Sequence, residues 1–256
     1  MVALPKPQKF TSRLASIQKV SSKVYLKRFE LVGPKEITFL PGQTVMLQVA
    51  SGVNRSMSIA SAPVEKTSIL VAHDVSPMGP YSQWTINARV GDTMSFVGPL
   101  GMFVLDRESP RKRVFVATGT GVSPFRSMLW DLSLRSASRR RSNLSSEAIA
   151  TSPTAPRNDI TLYWGLRREE DIFWKEEFEE LAAKHPNFRF VLTLSQPSVA
   201  WPGKRGRVGD HVFAEEKNLL DCDVYLCGSK AMVTEMEAAL LAKGVPKEQI
   251  KKELFY

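Results

Sequence analysis

The feature that most constrains the fold is the run of residues 113–130, in which an apolar stretch passes through two glycines into a helical pattern. Residues 114–117 predict a buried parallel strand, and the glycines let the backbone turn tightly beside a ligand. Ser123 suits the N-cap and Pro124 the first helical position, which predicts a helix whose free N–H groups bind anions. The predicted phosphate site consists of Gly119, Thr120, Gly121, Ser123 and Pro124. A plain strand-to-helix turn is the alternative, because one Gly-x-Gly is a weak signal.

The chain divides near residues 107–113 into two halves with different patterns. Before the division, short runs of β-branched and aromatic residues between turn signals predict an all-β barrel or sandwich. After it, strands and helices alternate, which predicts a doubly wound parallel α/β sheet. Its later elements are strands at 160–164, 188–194 and 224–227 and helices at 172–184 and 230–243. Ligands of such sheets bind beyond the carboxyl ends of the strands, where Gly119, Gly165, Ser195 and Cys227 fall.

Composition narrows the functional classes. Hydrophobic residues make up 43% of the chain, enough for one large or two modest cores, and no apolar run approaches the roughly 18 residues of a membrane span. Residues 1–10 lack the apolar centre of a signal peptide, so we expect a cytoplasmic protein. Two cysteines are too few for a disulfide framework or a four-thiolate cluster. The three histidines lack metal-ligand spacing, and no metal site is expected.

The chain has a net charge of +9, and its residues 133–158 are rich in Ser, Arg and Pro. This composition predicts a mobile basic insertion. The arginines at 139–141 are candidates for a nucleic-acid arm, but neither a stacking aromatic nor a recognisable binding fold accompanies them. We therefore expect a solvated insertion and no nucleic-acid partner.

Several segments, in order along the chain, resemble the ferredoxin–NADP reductase family of flavoproteins. They are residues 41–47, Asn54-Arg55-Ser56-Met57-Ser58 with the following residues to 61, 98–101, 119–126, 227–232 and Glu253-Leu254-Phe255-Tyr256. The resemblance implies an FAD-binding β-barrel domain at residues 1–108. It implies an NAD(P)-binding α/β domain with a doubly wound parallel sheet at residues 109–256, which includes the mobile basic insertion at 133–158.

The resemblance also implies a flavin-dependent NAD(P)H oxidoreductase, with FAD as cofactor and NADH or NADPH as co-substrate. Hydride would pass from nicotinamide C4 to flavin N5. Electrons would then reach a separate one-electron acceptor, such as a ferredoxin, a flavodoxin or an iron–sulfur oxygenase component. Gln196 stands where NADP-using relatives carry arginine, which narrowly favours NADH. Arg205 and Arg207 are the candidate replacements for that arginine, with solvated turn charges as the alternative.

The candidate FAD-binding residues implied by the resemblance lie in two segments of the first half. The first consists of Arg55 for the pyrophosphate, Ser56, Met57 and Ser58, whose hydroxyl would lie near N5. The second consists of His73, Val75, Gly79, Tyr81 and Ser82. Ser82 is predicted to cap a helix facing the pyrophosphate, and Met57 departs from the family, which more often has an aromatic residue there.

The candidate nucleotide-binding residues of the second half are Ser195, Arg205, Cys227 and Gly228, together with the phosphate site. The candidate catalytic residues are Ser58, Cys227, Glu253, Phe255 and Tyr256. Cys227 and Glu253 match the family's residues beside the nicotinamide, and Phe255 or Tyr256 matches the aromatic that covers the flavin. A buried structural thiol and an edge-strand glutamate are the alternatives.

Three other functions fit parts of the pattern. A reductase of free flavin would share the same segments but would use flavin as a substrate. A plain NAD-dependent dehydrogenase fits less well, because residues 1–110 contain no recognisable substrate domain. A non-catalytic basic binding module is the alternative from another class.

Overall fold

A computed structural model describes residues 4–76, 78–142 and 159–255 of the chain. Its contacts divide the chain into two compact units, each of which collects separate stretches of sequence. The barrel unit comprises Met1–Leu105, Gly119–Met128 and Glu170–Phe173. The sheet unit comprises Asp106–Thr118, Leu129–Glu169 and Trp174–Tyr256.

Antiparallel strands and a short helix form the barrel unit. They are β1 (Gln8–Lys19), β2 (Val24–Gly33), β3 (Thr44–Ala50), β4 (Val53–Ser58), β5 (Ser68–Asp74), α1 (Pro80–Asn87) and β6 (Thr93–Leu100). The strand order is β4-β3-β6-β1-β2-β5. Just beyond β4, the amide of Ala60 donates to the carbonyl of Leu70 on β5 at 2.8 Å. The edge strands therefore approach each other, as in a barrel.

The inward-facing residues of these strands form one apolar core. Phe10 and Phe96 stack at its centre with ring centroids 4.9 Å apart, and Leu14, Phe29 and Ile69 are fully buried beside them. Buried residues alternate with exposed residues along these strands, as expected for a sheet that packs one face on a core.

Parallel strands and helices form most of the sheet unit. They are β7 (Lys112–Thr118), α2 (Ser123–Ser142), β8 (Ile160–Leu166), α3 (Lys175–Lys184), β9 (Phe188–Leu194), β10 (Lys204–Arg205), α4 (Val208–Glu215), β11 (Cys222–Ser229), α5 (Lys230–Ala242) and β12 (Ile250–Phe255). Residues of α2 up to Met128 group with the barrel unit. The strand order is β10-β9-β8-β7-β11-β12, and every pairing is parallel. The predicted fold class, a barrel followed by a doubly wound parallel sheet, is confirmed.

Two helices differ from their predicted bounds. A 3-10 turn, Gly119–Val122, precedes α2, and α2 itself continues to Ser142. Residues 133–142 are therefore helical rather than part of a loop, because neither Gly nor Pro interrupts the chain between residues 125 and 152. The rest of the predicted insertion, 143–158, lies outside the described residues. Helix α3 begins three residues later than predicted, after Trp174 in the left-handed conformation (φ 56°).

Candidate functional site

The carboxyl ends of the parallel strands meet at one edge of the sheet unit. Thr118 ends β7 and pairs with Gly165 on β8, which in turn pairs with Thr193 on β9. On the other side, Ala117 pairs with Cys227 of β11, which pairs with Glu253 of β12. The topology thus brings the predicted nucleotide-binding segments to the edge at which such sheets bind ligands.

Gly228 lies against the end of β7 in close backbone contact. Its φ is +147°, and an added Cβ would lie 2.2 Å from Thr118 Oγ1, with the Thr118 backbone N and O at 2.8 and 2.9 Å. The next amide, Ser229 N–H, donates to Thr118 Oγ1 at 3.0 Å. Only glycine fits here, and Thr118 is a site-edge residue that the sequence analysis missed.

Cys227 is fully buried. Burial, reinforced by the charge of Glu253, raises the pKa of the Cys227 thiol well above its ordinary value. The thiol is therefore neutral, which excludes a thiolate nucleophile here. Glu253, half-buried, is its register partner across β11 and β12.

The loop after β9 carries Ser195, which is exposed and donates its amide to the carbonyl of Leu166 at 3.0 Å. The Arg205 side chain turns back onto this loop. Its Nη2 donates to the carbonyls of Ser198, Val199 and Trp201 at 3.0, 2.9 and 2.8 Å. Arg205 therefore braces the loop, a use that its sequence position did not indicate.

At the predicted phosphate site, helical structure begins one turn earlier than the sequence predicts. Gly119 adopts φ +55°, and the 3-10 turn that contains Gly119, Thr120 and Gly121 leads directly into α2. The Ser123 hydroxyl donates to the carbonyl of Thr120 at 2.8 Å. Ser123 is therefore not the N-cap that the sequence predicted, and Pro124 is buried in the second position of the helix.

In the barrel unit, the predicted flavin-binding strand is β4. Arg55 and Ser56 are exposed, whereas Met57 and Ser58 are both buried at its end. The alternation of exposed and buried residues that is typical of a strand therefore ends at Met57, because the chain turns inward towards β5 after Ser58. The Arg55 guanidinium is close enough to His73 for its charge to lower the pKa of that imidazole.

His73 belongs to a buried polar cluster that the sequence analysis did not foresee. Its ring stacks on Tyr81 with centroids 4.3 Å apart. Its Nδ1 lies 3.2 Å from Lys27 Nζ and 3.1 Å from Thr85 Oγ1. Lys27 is fully buried, donates to Thr85 Oγ1 at 2.6 Å and lies 4.0 Å from the centroid of Tyr81.

Burial controls the charge of this cluster. It lowers the pKa of Lys27 to about 6, and burial followed by the charges of Lys27 and Arg55 lowers the pKa of His73 to about 3. The spacing of Lys27 and Phe29 along β2 indicates that both side chains point inward. The charge of Lys27, however, argues against its burial.

Among the described residues, helix α1 has no side-chain hydrogen bond at its N-cap. Its N-cap is Gly79, with no side-chain cap hydrogen bond and no acidic residue in the first turn. Ser82 is buried inside the first turn, so the prediction that it caps the helix is wrong, because Pro80 starts the helix earlier. Val75 donates its amide to the carbonyl of Lys23 at 2.9 Å.

The candidate aromatic cover lies at the end of β12. Phe255 ends this strand and pairs with Ser229, while Tyr256 lies outside the described residues. Among the described residues, no helix is long and apolar enough to cross a membrane. Nor do the described His, Cys, Asp and Glu residues form a group of three that could hold a metal ion.

Comparison with known proteins identifies two domains along the chain. Residues 11–105 match the family model of the oxidoreductase FAD-binding domain, and residues 115–238 match that of the oxidoreductase NAD-binding domain. A solved structure, the cytochrome P450 reductase GcoB from Amycolatopsis, superposes with a TM-score of 0.82 at 24% identity, over 100% of this chain and 72% of that one. This likeness shows the fold.

Curated relatives show the family. Ferredoxin–NADP reductase B from Sorangium cellulosum is 33% identical over 96% of this chain and 97% of its own length. The toluate 1,2-dioxygenase electron transfer component from Pseudomonas putida is 29% identical over 92% of this chain, which spans 64% of that relative. The chain, with its FAD-binding and NAD-binding domains, therefore belongs to the ferredoxin–NADP reductase family of flavin-dependent oxidoreductases.

Proposed function

We propose that this protein takes hydride from a reduced nicotinamide nucleotide through FAD and passes the electrons singly to a ferredoxin or an oxygenase component. The main support for this proposal is a pair of anion-binding features in the barrel unit, Arg55 and the N-terminus of α1. Bound FAD supplies the chemistry, because its N5 accepts hydride and the ring releases electrons one at a time.

The barrel unit fits FAD. The N–H groups at Gly79 and the positive helix end suit a pyrophosphate, and Arg55 can pair with the same group. The Tyr81 hydroxyl is buried and has no hydrogen-bond partner among the described residues, as expected for a group that a bound ligand completes. We propose that Ser56, Met57, Ser58, His73 and Val75 line the flavin ring, with Ser58 nearest N5.

Residues 115–238, which match the NAD-binding domain model, fit a nicotinamide nucleotide. We propose that residues 119–124 hold its pyrophosphate and that Ser195 and Gly228 contact its sugars. Cys227 and Glu253 then border the nicotinamide. A neutral thiol packs on the ring without competing for hydride, while the carboxylate orients it. We propose the aromatic end of the chain, Phe255 or Tyr256, as the cover that nicotinamide displaces.

The names of the relatives support the choice of acceptor. They describe a ferredoxin–NADP reductase and the electron transfer components of toluate and anthranilate dioxygenases. The chain spans nearly the whole of the first but 64% and 59% of the other two. We propose an electron acceptor on a separate protein, because these relatives are named for a ferredoxin or as components of dioxygenase systems.

We propose that the FAD-binding domain comprises residues 1–108 and that the NAD(P)-binding domain comprises residues 109–256. The cytoplasm is the proposed location. Cys222 and Cys227 are both free and buried, which suits a reducing compartment.

Replacement of Arg55 tests the proposed function. Arg55→Ala should weaken FAD binding by about 10- to 100-fold, the value of one charge-assisted hydrogen bond. Arg13→Ala is the matched control, because Arg13 is an exposed strand arginine of the same unit that pairs with Glu30. FAD affinity is measured by fluorescence titration of the apoprotein.

Two outcomes would contradict the proposal. Equal flavin affinity of the Arg55 variant and the wild type would show that the site is elsewhere. A purified wild type that retains no flavin but reduces added FMN with NADH would support the free-flavin reductase instead.

A further inference from the structure

The turn Lys204-Arg205-Gly206-Arg207 looks in sequence like a phosphate site, yet two of its cations, Lys204 and Arg207, pair with carboxylates. Lys204 Nζ lies 2.6 Å from Glu215 Oε1. Glu215 ends α4, the crossover helix that leads back to the amino end of β11. The Lys204 ammonium is therefore drawn away from the ligand edge. Arg207 Nη1 lies 2.9 Å from Glu235 Oε2 on α5.

The third cation, Arg205, is linked to a carboxylate, Glu169, only through Ser198, which both side chains bind. Glu169 Oε1 accepts the amide of Ser198 at 2.9 Å and its hydroxyl at 2.6 Å. Arg205 Nη2 donates to the carbonyl of the same Ser198. The hydrogen bonds from Ser198, aided by the charge of Arg205, lower the pKa of Glu169, so the carboxylate is ionised at neutral pH.

Glu169 and Arg205 lie where they can affect the binding of the nucleotide. Glu169 follows β8, and the loop that it holds follows β9, at the carboxyl edge of the sheet. The end of β9 is two strand spacings, about 10 Å, from the end of β7. That is within reach of an adenosine ribose whose pyrophosphate lies at β7, where doubly wound sheets recognise the ribose 2′ position.

We propose that Glu169 is a specificity-determining residue, which makes the site select NADH over NADPH. This inference rests on the proposed reductase function. The carboxylate retains lone pairs that can accept a hydrogen bond from a ribose 2′-hydroxyl, but it repels a 2′-phosphate. Gln196 at the same edge contributes no compensating charge. Arg167 and Arg168 are exposed on the turn before Glu169. The experiment must distinguish the effect of these two cations on a 2′-phosphate from the effect of Glu169.

The experiment measures binding of two probes, 5′-AMP and 2′,5′-ADP, to the purified flavoprotein by isothermal titration calorimetry. Wild type should bind 2′,5′-ADP no more tightly than 5′-AMP. Glu169→Gln keeps an oxygen acceptor for Ser198 but removes the charge, so the affinity for 2′,5′-ADP should rise about tenfold. The affinity for 5′-AMP should stay within about twofold, because that probe carries no 2′-phosphate.

Glu179→Gln is the matched control, because it removes the same charge from an exposed residue of α3 that pairs with Lys175. It should change neither affinity. A wild type that prefers 2′,5′-ADP tenfold or more would overturn the inference, and loss of that preference in Arg167→Ala would assign the 2′-phosphate to Arg167. An unchanged affinity ratio in Glu169→Gln would also overturn it. If neither probe binds, the nucleotide site of the proposed function fails as well.

Discussion

Lys27 is the residue whose chemistry the fold alters most. Its ammonium would be desolvated if charged, so the folded protein holds it neutral near pH 7. In the unfolded chain, by contrast, the same amine is protonated up to about pH 10. The unfolded state therefore binds more protons between these values, and the free energy of unfolding rises with pH across the window.

Replacement by methionine should remove this dependence. Lys27→Met should stabilise the protein at pH 6–7 and flatten its stability between about pH 6 and 10, where one such group contributes about 1.4 kcal/mol per pH unit. Thr85 and His73 can remain hydrogen-bonded to each other. Urea unfolding followed by circular dichroism at several pH values measures the effect. Lys9→Met, at an exposed position of β1, should leave the slope unchanged, and a parallel slope in both variants would mean that Lys27 is charged in the fold.

At the scale of elements, the end of β11 depends on the absence of a side chain. Gly228→Ala would place a Cβ against Thr118 backbone atoms at a strained φ, which should cost about 2–4 kcal/mol and displace the ligand edge. Gly119→Ala is the matched comparison, because φ is also positive but nothing lies within 4 Å of the added Cβ. It should cost only about 1 kcal/mol. Thermal unfolding measures both variants, and equal losses of stability would mean that β11 can shift freely. Binding of 5′-AMP is compared between Gly228→Ala and the wild type, because Gly119 belongs to the proposed phosphate site.

Strand β12 carries the second element-scale prediction. Deletion of residues 255–256 removes one register pair, Ser229 with Phe255, and the proposed aromatic cover. Nicotinamide binding should tighten, because no part of its free energy is then used to displace a ring. A stronger charge-transfer band during anaerobic NADH titration measures it. Turnover should fall if release of the oxidised nucleotide becomes slower. Unchanged affinity and an unchanged flavin spectrum would leave the two residues with a structural role.

The sequence predicted regular elements better than the groups between them. Strand β9 was predicted to the residue, because an apolar run between turn signals specifies it. The start of α2 and the cap of α1 were missed, since a 3-10 turn and Gly79 occupy the positions that Ser123 and Ser82 were expected to fill. Lys27, Thr118 and Glu169 depend on contacts between residues far apart in sequence. Local patterns carry no record of such contacts.

For the molecule as a whole, the discontinuity of the barrel unit constrains the order in which the chain can fold during synthesis. Phe125 packs edge-on against Phe103, with ring centroids 5.8 Å apart, and Asp171 pairs with Lys23 at 3.3 Å. A nascent chain folds from its N-terminus as it leaves the ribosome, yet these barrel residues are made only after β7 of the sheet unit. The barrel therefore cannot be complete when its last strand emerges, and it can be finished only after the residues that follow β8 have been made.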